Sequence, residues 1–141
     1  FLPQSDVEWV IMKIYCENNI LLAAVIKLED INKEKNFVTD NEEEFQVASF
    51  NLKKDTKIER HHHPHQNREI KNTSEVLTVL GGKIKVNIYD ENLKFVHEET
   101  LVTGETIALF RGGHEIEILE DSKFIESKQG PYIEDIDKIR F

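Results

Sequence analysis

The sequence predicts an all-β fold, either a sandwich or a barrel, and two observations support this prediction. Segments in which apolar and polar residues alternate, each about as long as a strand, follow one another along most of the chain. Turn-forming residues such as Gly81-Gly82 and Gly112-Gly113 separate these segments. Helix signals are weak and lie only in 28–36 and 132–141, so short helices at most are expected.

The predicted strands begin with two apolar segments separated by the turn "CENN". In chain order they are 7–15, 20–28, 45–52, 56–63, 75–80, 83–89, 94–101, 106–110, 114–120 and 123–128. The acidic run at 40–44 is expected to be a solvated loop. Because the chain shows no repeat and no linker, its 141 residues are expected to form a single domain, 1–141.

Composition and charge exclude several classes of partner. The net charge of −9 argues against binding to nucleic acid or to an anionic membrane surface, since both need clustered Lys and Arg. No apolar run reaches the roughly 18 residues of a membrane span, and the first residues lack the pattern of a signal peptide. The single cysteine, Cys16, excludes a disulfide within the chain and favours a reducing compartment, so a cytoplasmic location is expected.

The stretch "RHHHPH" holds four of the six histidines of the chain. Side chains two apart on a strand point to the same face, so His61 and His63 are predicted neighbours that can share one metal ion. Pro64 tends to end the strand, which leaves His65 just beyond it. The alternative interpretation is that both histidines are ordinary surface residues.

One feature of this segment conflicts with a buried strand. His61 shares its predicted face with the charged residues Lys57 and Glu59, whereas the apolar Ile58 lies on the opposite face. Either a bulge intervenes or this part of the strand is less buried than its neighbours.

A divalent metal site needs three or four protein ligands, and Glu75 and His114 are the further candidates. Each residue opens a predicted strand and leads a row of apolar side chains that points inward. A polar group at the end of such a row is typical of a site at the mouth of a barrel. Considered alone, Glu75 can also be interpreted as a solvated carboxylate at the start of a strand. His114 can be interpreted as a core or turn histidine after the Gly-Gly bend.

At these residues the chain resembles the cupin family. The first cupin motif contains His-x-His, then Glu, then six residues and Gly, and here it is represented by His61, His63, Glu75 and Gly82. Eleven residues separate His63 from Glu75, where the family has three or four. This insertion makes Glu69 a rival carboxylate.

The second cupin motif is represented by Gly104, Gly112 and His114, with Phe110 where the family has proline and no asparagine after the histidine. The resemblance covers roughly 45–128. The stretch from "MKIY" to the C-terminal tail is also similar to small bacterial cupins, some of which are associated with surface-polysaccharide gene clusters.

The resemblance implies a double-stranded β-helix, the jelly-roll barrel of cupins, with one divalent metal ion inside its mouth. It implies a core barrel at 45–128, N-terminal strands 7–28 that form a homodimer, and a C-terminal tail at 129–141. The implied ligands are His61, His63, Glu75 and His114, with Glu69 or His65 as alternatives to Glu75. These ligand types suit Fe, Mn, Ni, Zn or Co alike.

Three histidines and one carboxylate leave coordination positions open for a substrate, which favours an enzyme. The expected activity is that of an isomerase or epimerase, or of a dioxygenase, on a small polar or sugar-derived substrate. One alternative is a metal-free isomerase with His61 or His63 as general base, and another is a non-catalytic ligand-binding protein. Arg68 and Arg111 are predicted to bind an anionic substrate, unless they pair with nearby glutamates.

Overall fold

The computed structural model describes residues 11–141 and shows an all-β protein, which confirms the predicted fold class. Two short 3-10 helices, Glu17–Asn19 and Leu28–Asp30, accompany the strands. The strands of the described residues are β1 (Met12–Cys16), β2 (Ile20–Ile26), β3 (Lys35–Phe37), β4 (Ala48–Phe50), β5 (Glu75–Gly81), β6 (Lys83–Tyr89), β7 (Phe95–Val102), β8 (Thr106–Leu109), β9 (Gly113–Ile118) and β10 (Lys123–Lys128).

Two antiparallel sheets face each other and build a sandwich. Five strands form the first sheet in the order β1-β2-β8-β5-β10, and three strands form the second in the order β7-β6-β9. Strands β3 and β4 form a separate two-stranded ladder. Within the described residues the sheets do not join into a closed barrel, because β9 and β10 are each paired along one side only.

The main core lies between the two larger sheets. On β5, Leu77 and Val79 point toward the second sheet, where they meet Ile84 and Val86 of β6. All four side chains are fully buried. Burial of one such side chain stabilises the fold by about 1.5–3 kcal/mol, so this apolar row selects the register of both strands.

The other face of the five-stranded sheet carries a second apolar cluster. Ala24, Ala108 and Phe110 belong to this cluster, and Phe45 and Val47 pack against it. Strand β2 is an interior strand of this sheet, with β1 on one side and β8 on the other. The N-terminal strands are therefore an integral part of the main sheet.

Several predicted bounds differ from those in the structure. The predicted strand 7–15 corresponds to β1, and residues 7–10 lie outside the described part of the chain. The helix signal at 28–36 corresponds to one 3-10 turn followed by β3. In the tail a single turn forms, in which the Asp137 amide donates to the Ile133 carbonyl at 2.9 Å. None of the helices described between residues 11 and 141 has the length and apolar character needed to cross a bilayer.

The predicted strand 56–63 is wrong, because the described structure contains no strand between β4 and β5. Every residue of 50–71 is exposed, and even the apolar Ile58 is 63% exposed. The reason is the conflict in the sequence pattern: neither face of this segment is apolar enough to gain from burial. Residues 51–73 are called the histidine arm below.

Candidate functional site

Glu75 and His114 meet in the structure. Nε2 of His114 lies 2.5 Å from Oε1 of Glu75. The two residues come from different sheets, since Glu75 begins β5 and His114 belongs to β9. Both lead inward apolar rows, as predicted: Glu75 is followed on its face by the buried Leu77, and His114 lies opposite the buried Ile88. The pair therefore marks one end of the space between the sheets.

The pair combines a buried carboxylate with an accessible imidazole. Glu75 is 6% exposed, whereas the side chain of His114 is 33% exposed. Burial alone would raise the pKa of Glu75, but hydrogen bonds with His114 and Glu126 outweigh it and hold that pKa below its ordinary value. The charges of His114 and Lys128 act in the same direction. Glu75 is thus an ionised carboxylate at neutral pH.

Glu126 belongs to the same cluster, and sequence reasoning missed it. It lies on β10 opposite Leu77, on the face that points into the sandwich. The hydrogen bond that it shares with Glu75, its partial burial and the repulsion from that carboxylate raise the pKa of Glu126. Of these two coupled carboxyl groups, Glu126 is therefore the one that binds a proton more readily. Alternation in "KFIESK" places Glu126 and Lys128 on one face, but only the pairing of β10 with β5 shows what that face adjoins.

The C-terminal tail borders the site on two sides. Lys128, the register partner of Glu75, forms an ion pair with Asp137 of the tail at 2.9 Å. The ring of Phe141 lies against Gly113, where an added Cβ would come within 2.7 Å of it. Since Gly113 directly precedes the site histidine, the tail contacts the strand that carries His114, and through Lys128 it contacts β10, the neighbour of the strand that carries Glu75.

His61 and His63 are neighbours of each other, although they do not lie on a strand. Their ring centroids are 5.3 Å apart, with one ring edge facing the other ring. Nδ1 of His61 lies 2.8 Å from the carbonyl oxygen of Glu59. Across residues 11–141 no three side chains of His, Cys, Asp or Glu come close enough together to hold a metal ion. One chain therefore presents two separate pairs of the predicted ligands.

The alternative ligands and one of the predicted substrate-binding residues also lie on the histidine arm. Glu69, His65 and Arg68 all have exposed side chains. Neither Glu69 nor His65 completes a metal site with the Glu75–His114 pair, because no three such residues in the described part of the chain are arranged to hold a metal ion.

Arg111 faces a different part of the molecule. Its guanidinium donates to the Leu21 carbonyl at 2.6 Å and forms an ion pair with Glu43. It lines a cavity of about 320 Å³ whose lining does not include Glu75 or His114. The pairing with a nearby glutamate, which the sequence left open as the alternative, is therefore observed for Arg111.

A second histidine–carboxylate contact occurs on β7. Nε2 of His97 lies 2.7 Å from Oε2 of Glu99, and the strand register places His97 opposite Ile88. The side chain of His97 is 40% exposed. No third ligand-type residue joins this contact in the described structure.

The chemistry of the Glu75–His114 pair suits a divalent first-row metal ion. An ionised carboxylate oxygen and an imidazole nitrogen stand together at the end of an apolar interior. The imidazoles of His61 and His63 would complete a set of three histidines and one carboxylate. The side chains of these four residues are thus suitable ligands for such a metal ion. Within the described part of one chain, however, they form two separate pairs.

Comparison of the chain with protein-family models, with curated proteins and with solved structures finds no match.

Proposed function

We propose that the protein binds one divalent metal ion through His61, His63, Glu75 and His114, as its resemblance to cupins implies, and that it is an enzyme acting on a small polar substrate. The observation that supports this most is the contact between Glu75 and His114. These residues are 39 positions apart in sequence and meet across two sheets. Burying a carboxylate costs free energy, so a buried Glu75 beside an accessible histidine is better explained by function than by stability.

The chain's own residues have distinct tasks in this proposal. Glu75 and His114 hold the ion from the two sheets, and the negative charge of Glu75 offsets part of the charge of the ion. The bound ion would polarise an oxygen atom of the substrate. Glu126 lies beside Glu75 and supplies a second carboxyl group as acid or base for a proton shift. This arrangement favours an isomerase or epimerase over a dioxygenase.

The polar groups around the opening indicate the class of substrate. Glu126 and Lys128 are charged residues on the inner face of β10, where a core would have apolar side chains. Arg68 on the histidine arm is proposed as a further positively charged group that binds the substrate. Groups of both signs suit a substrate that has several hydroxyl groups or one negative charge, such as a keto-sugar derivative.

The test is the metal content of protein purified without an affinity tag. We expect close to one equivalent of a first-row metal per chain in the wild type, and less than about a tenth of that in Glu75→Gln. The matched control is Glu117→Gln on β9, because Glu117 points to the outer face and bonds Lys85 and Asn87, both at 2.9 Å. Elemental analysis measures all three proteins.

A wild type with less than a tenth of an equivalent would contradict the metal site. Full metal content in Glu75→Gln would instead remove Glu75 from the ligand set, and Glu69 and His65 would then be exchanged in turn. Conversion of a keto-sugar by the wild type, and its loss in Glu126→Gln with metal content retained, would separate an enzyme from a ligand-binding protein.

A metal-free isomerase is the second candidate, and one observation favours it. The hydrogen-bonded pair of His114 and Glu75, with the carboxyl group of Glu126 beside it, is a general acid–base arrangement in its own right. His114 then takes the part of the general base that the sequence suggested for His61 or His63. Turnover that survives complete removal of metal would decide for this candidate.

A further inference from the structure

The histidine arm differs from the rest of the chain in charge. It contains six Lys or Arg and three Asp or Glu, which gives it a net charge of +3. The remainder of the chain carries −12. Because every residue of 51–71 is exposed, this positive segment stands on the outside of an acidic protein.

The arm is attached to its own chain only at its two ends. At one end the Asn51 amide donates to the Lys33 carbonyl at 3.2 Å. At the other end the amides of Lys71 and Asn72 donate to the carboxylate of Glu44 at 3.2 and 3.1 Å. For residues 52–70 the described structure shows hydrogen bonds only within the arm itself. The middle of the arm, which carries the histidines, therefore lies free of its own sandwich.

The sandwich, in turn, has strand edges without a neighbour. In the described residues these are the outer edges of β1, β7, β9 and β10, and the last two lie beside the site. In the described residues β9 and β10 each pair with one neighbour only, so each has a row of unpaired backbone groups. Inner-face residues on these strands are open to solvent, with Ile118 55% and Phe124 36% exposed. The site histidine lies on β9, and β10 is the neighbour of the strand that begins with Glu75.

The open edges and the arm are complementary. Residues 113–128, which contain β9 and β10, have five Asp or Glu and two Lys. Their net charge is therefore −3, against +3 on the arm. An extended segment can add to a free strand edge through backbone hydrogen bonds. Once extended, the arm would direct His61 and His63 to one face.

We propose that the arm of one copy of this chain docks along the free edge of β9 in a second copy and supplies His61 and His63 to the Glu75–His114 pair of that copy. This inference rests on the proposed metal site. Exchange in both directions gives a two-fold dimer with two identical sites, each built from two chains. It explains why one chain shows the predicted ligands as two separate pairs.

The exchange is tested by complementation between two variants, each of which lacks half of the proposed metal ligands. The first variant, His61→Ala/His63→Ala, keeps the Glu75–His114 pair, and its substitutions lie on exposed residues. The second variant, Glu75→Gln/His114→Gln, keeps the arm. The two chains are co-expressed, and native mass spectrometry identifies each dimer by its mass and counts its metal ions. The single variant His114→Gln replaces the second chain if circular dichroism shows that the double variant is unfolded.

The exchanged arm predicts two metal ions in the wild-type dimer, none in either variant homodimer and one in the mixed dimer. A mixed dimer without metal, or wild-type monomers that carry metal, would overturn the exchange and leave the proposed metal site intact, with the arm folding back onto its own chain. Wild-type protein without metal would overturn both the exchange and the metal site. This result is obtained from the wild type alone, before any variant is made.

Discussion

The Glu75–His114 pair and the His61–His63 pair are held in different ways. Glu75 is followed on β5 by the fully buried Leu77, and His114 lies opposite the buried Ile88 of β6. His61 and His63 are close because they are two apart in sequence, and their segment has no buried residue from 50 to 71. The first pair is placed by the packing of the whole sandwich, and the second by local chain geometry alone.

The difference between the two pairs shows when alternation of apolar and polar residues predicts a strand. A period of two determines which side chains share a face only if one face gains free energy from burial. On β5 that face carries Leu77 and Val79, so the predicted strand forms. In the arm the corresponding face carries Lys57 and Glu59, so nothing fixes a strand within one chain.

The largest expected effect follows from the packing of β5. Leu77→Ala should lower the free energy of unfolding by about 2–5 kcal/mol, because Leu77 is fully buried between the sheets. The double variant His61→Ala/His63→Ala should change it by less than about 0.5 kcal/mol in metal-free protein. Urea denaturation followed by fluorescence measures both. Equal losses in the two proteins would show that the arm is packed onto its own chain.

A smaller effect is expected at Arg111. Arg111→Ala removes the ion pair with the partly buried Glu43 and the bond to the Leu21 carbonyl, so it should cost about 1–3 kcal/mol. The matched control is Arg60→Ala on the exposed arm, which should leave the metal-free protein as stable as the wild type. Urea denaturation measures stability, and calorimetric titration with a keto-sugar measures binding. Weakened binding in a stable Arg111→Ala protein would restore Arg111 to the substrate site.

The smallest effect is expected at the base of the arm. The backbone amides of Asn72 and Lys71 donate to Glu44 and lower its pKa. A carboxyl whose pKa is lower in the folded state stabilises that state above the unfolded pKa of about 4.3 and loses this contribution as the pH falls through the folded value. In NMR titrations the two amide signals should therefore shift with a midpoint below about 4.3.

In the Glu44→Gln variant this titration should disappear, with a loss of stability below about 1 kcal/mol, because the contact is partly exposed to solvent. Amide signals in the wild type that titrate above the ordinary pKa of a glutamate would show that Glu44 does not hold the arm.

Part of the candidate site was accessible to sequence reasoning and part was not. Glu75 and His114 were found because each opens a strand with an apolar face, and that pattern survives in the fold. Glu126 was missed because its importance depends on the pairing of β10 with β5, which no local pattern encodes. For Arg111 the sequence left pairing with a glutamate open but did not identify the partner, because Glu43 is 68 positions away in the chain.

Local sequence patterns were enough to predict the all-β class, most strand positions and the residues of the two histidine-containing pairs, because alternation and turn chemistry act over a few neighbouring residues. Three features emerged only from the folded chain: which pair lies in the sandwich, which carboxyl group lies beside that pair, and which strand edges are open in the described residues. These features depend on register between strands far apart in the chain, and register is selected by burial of the whole core.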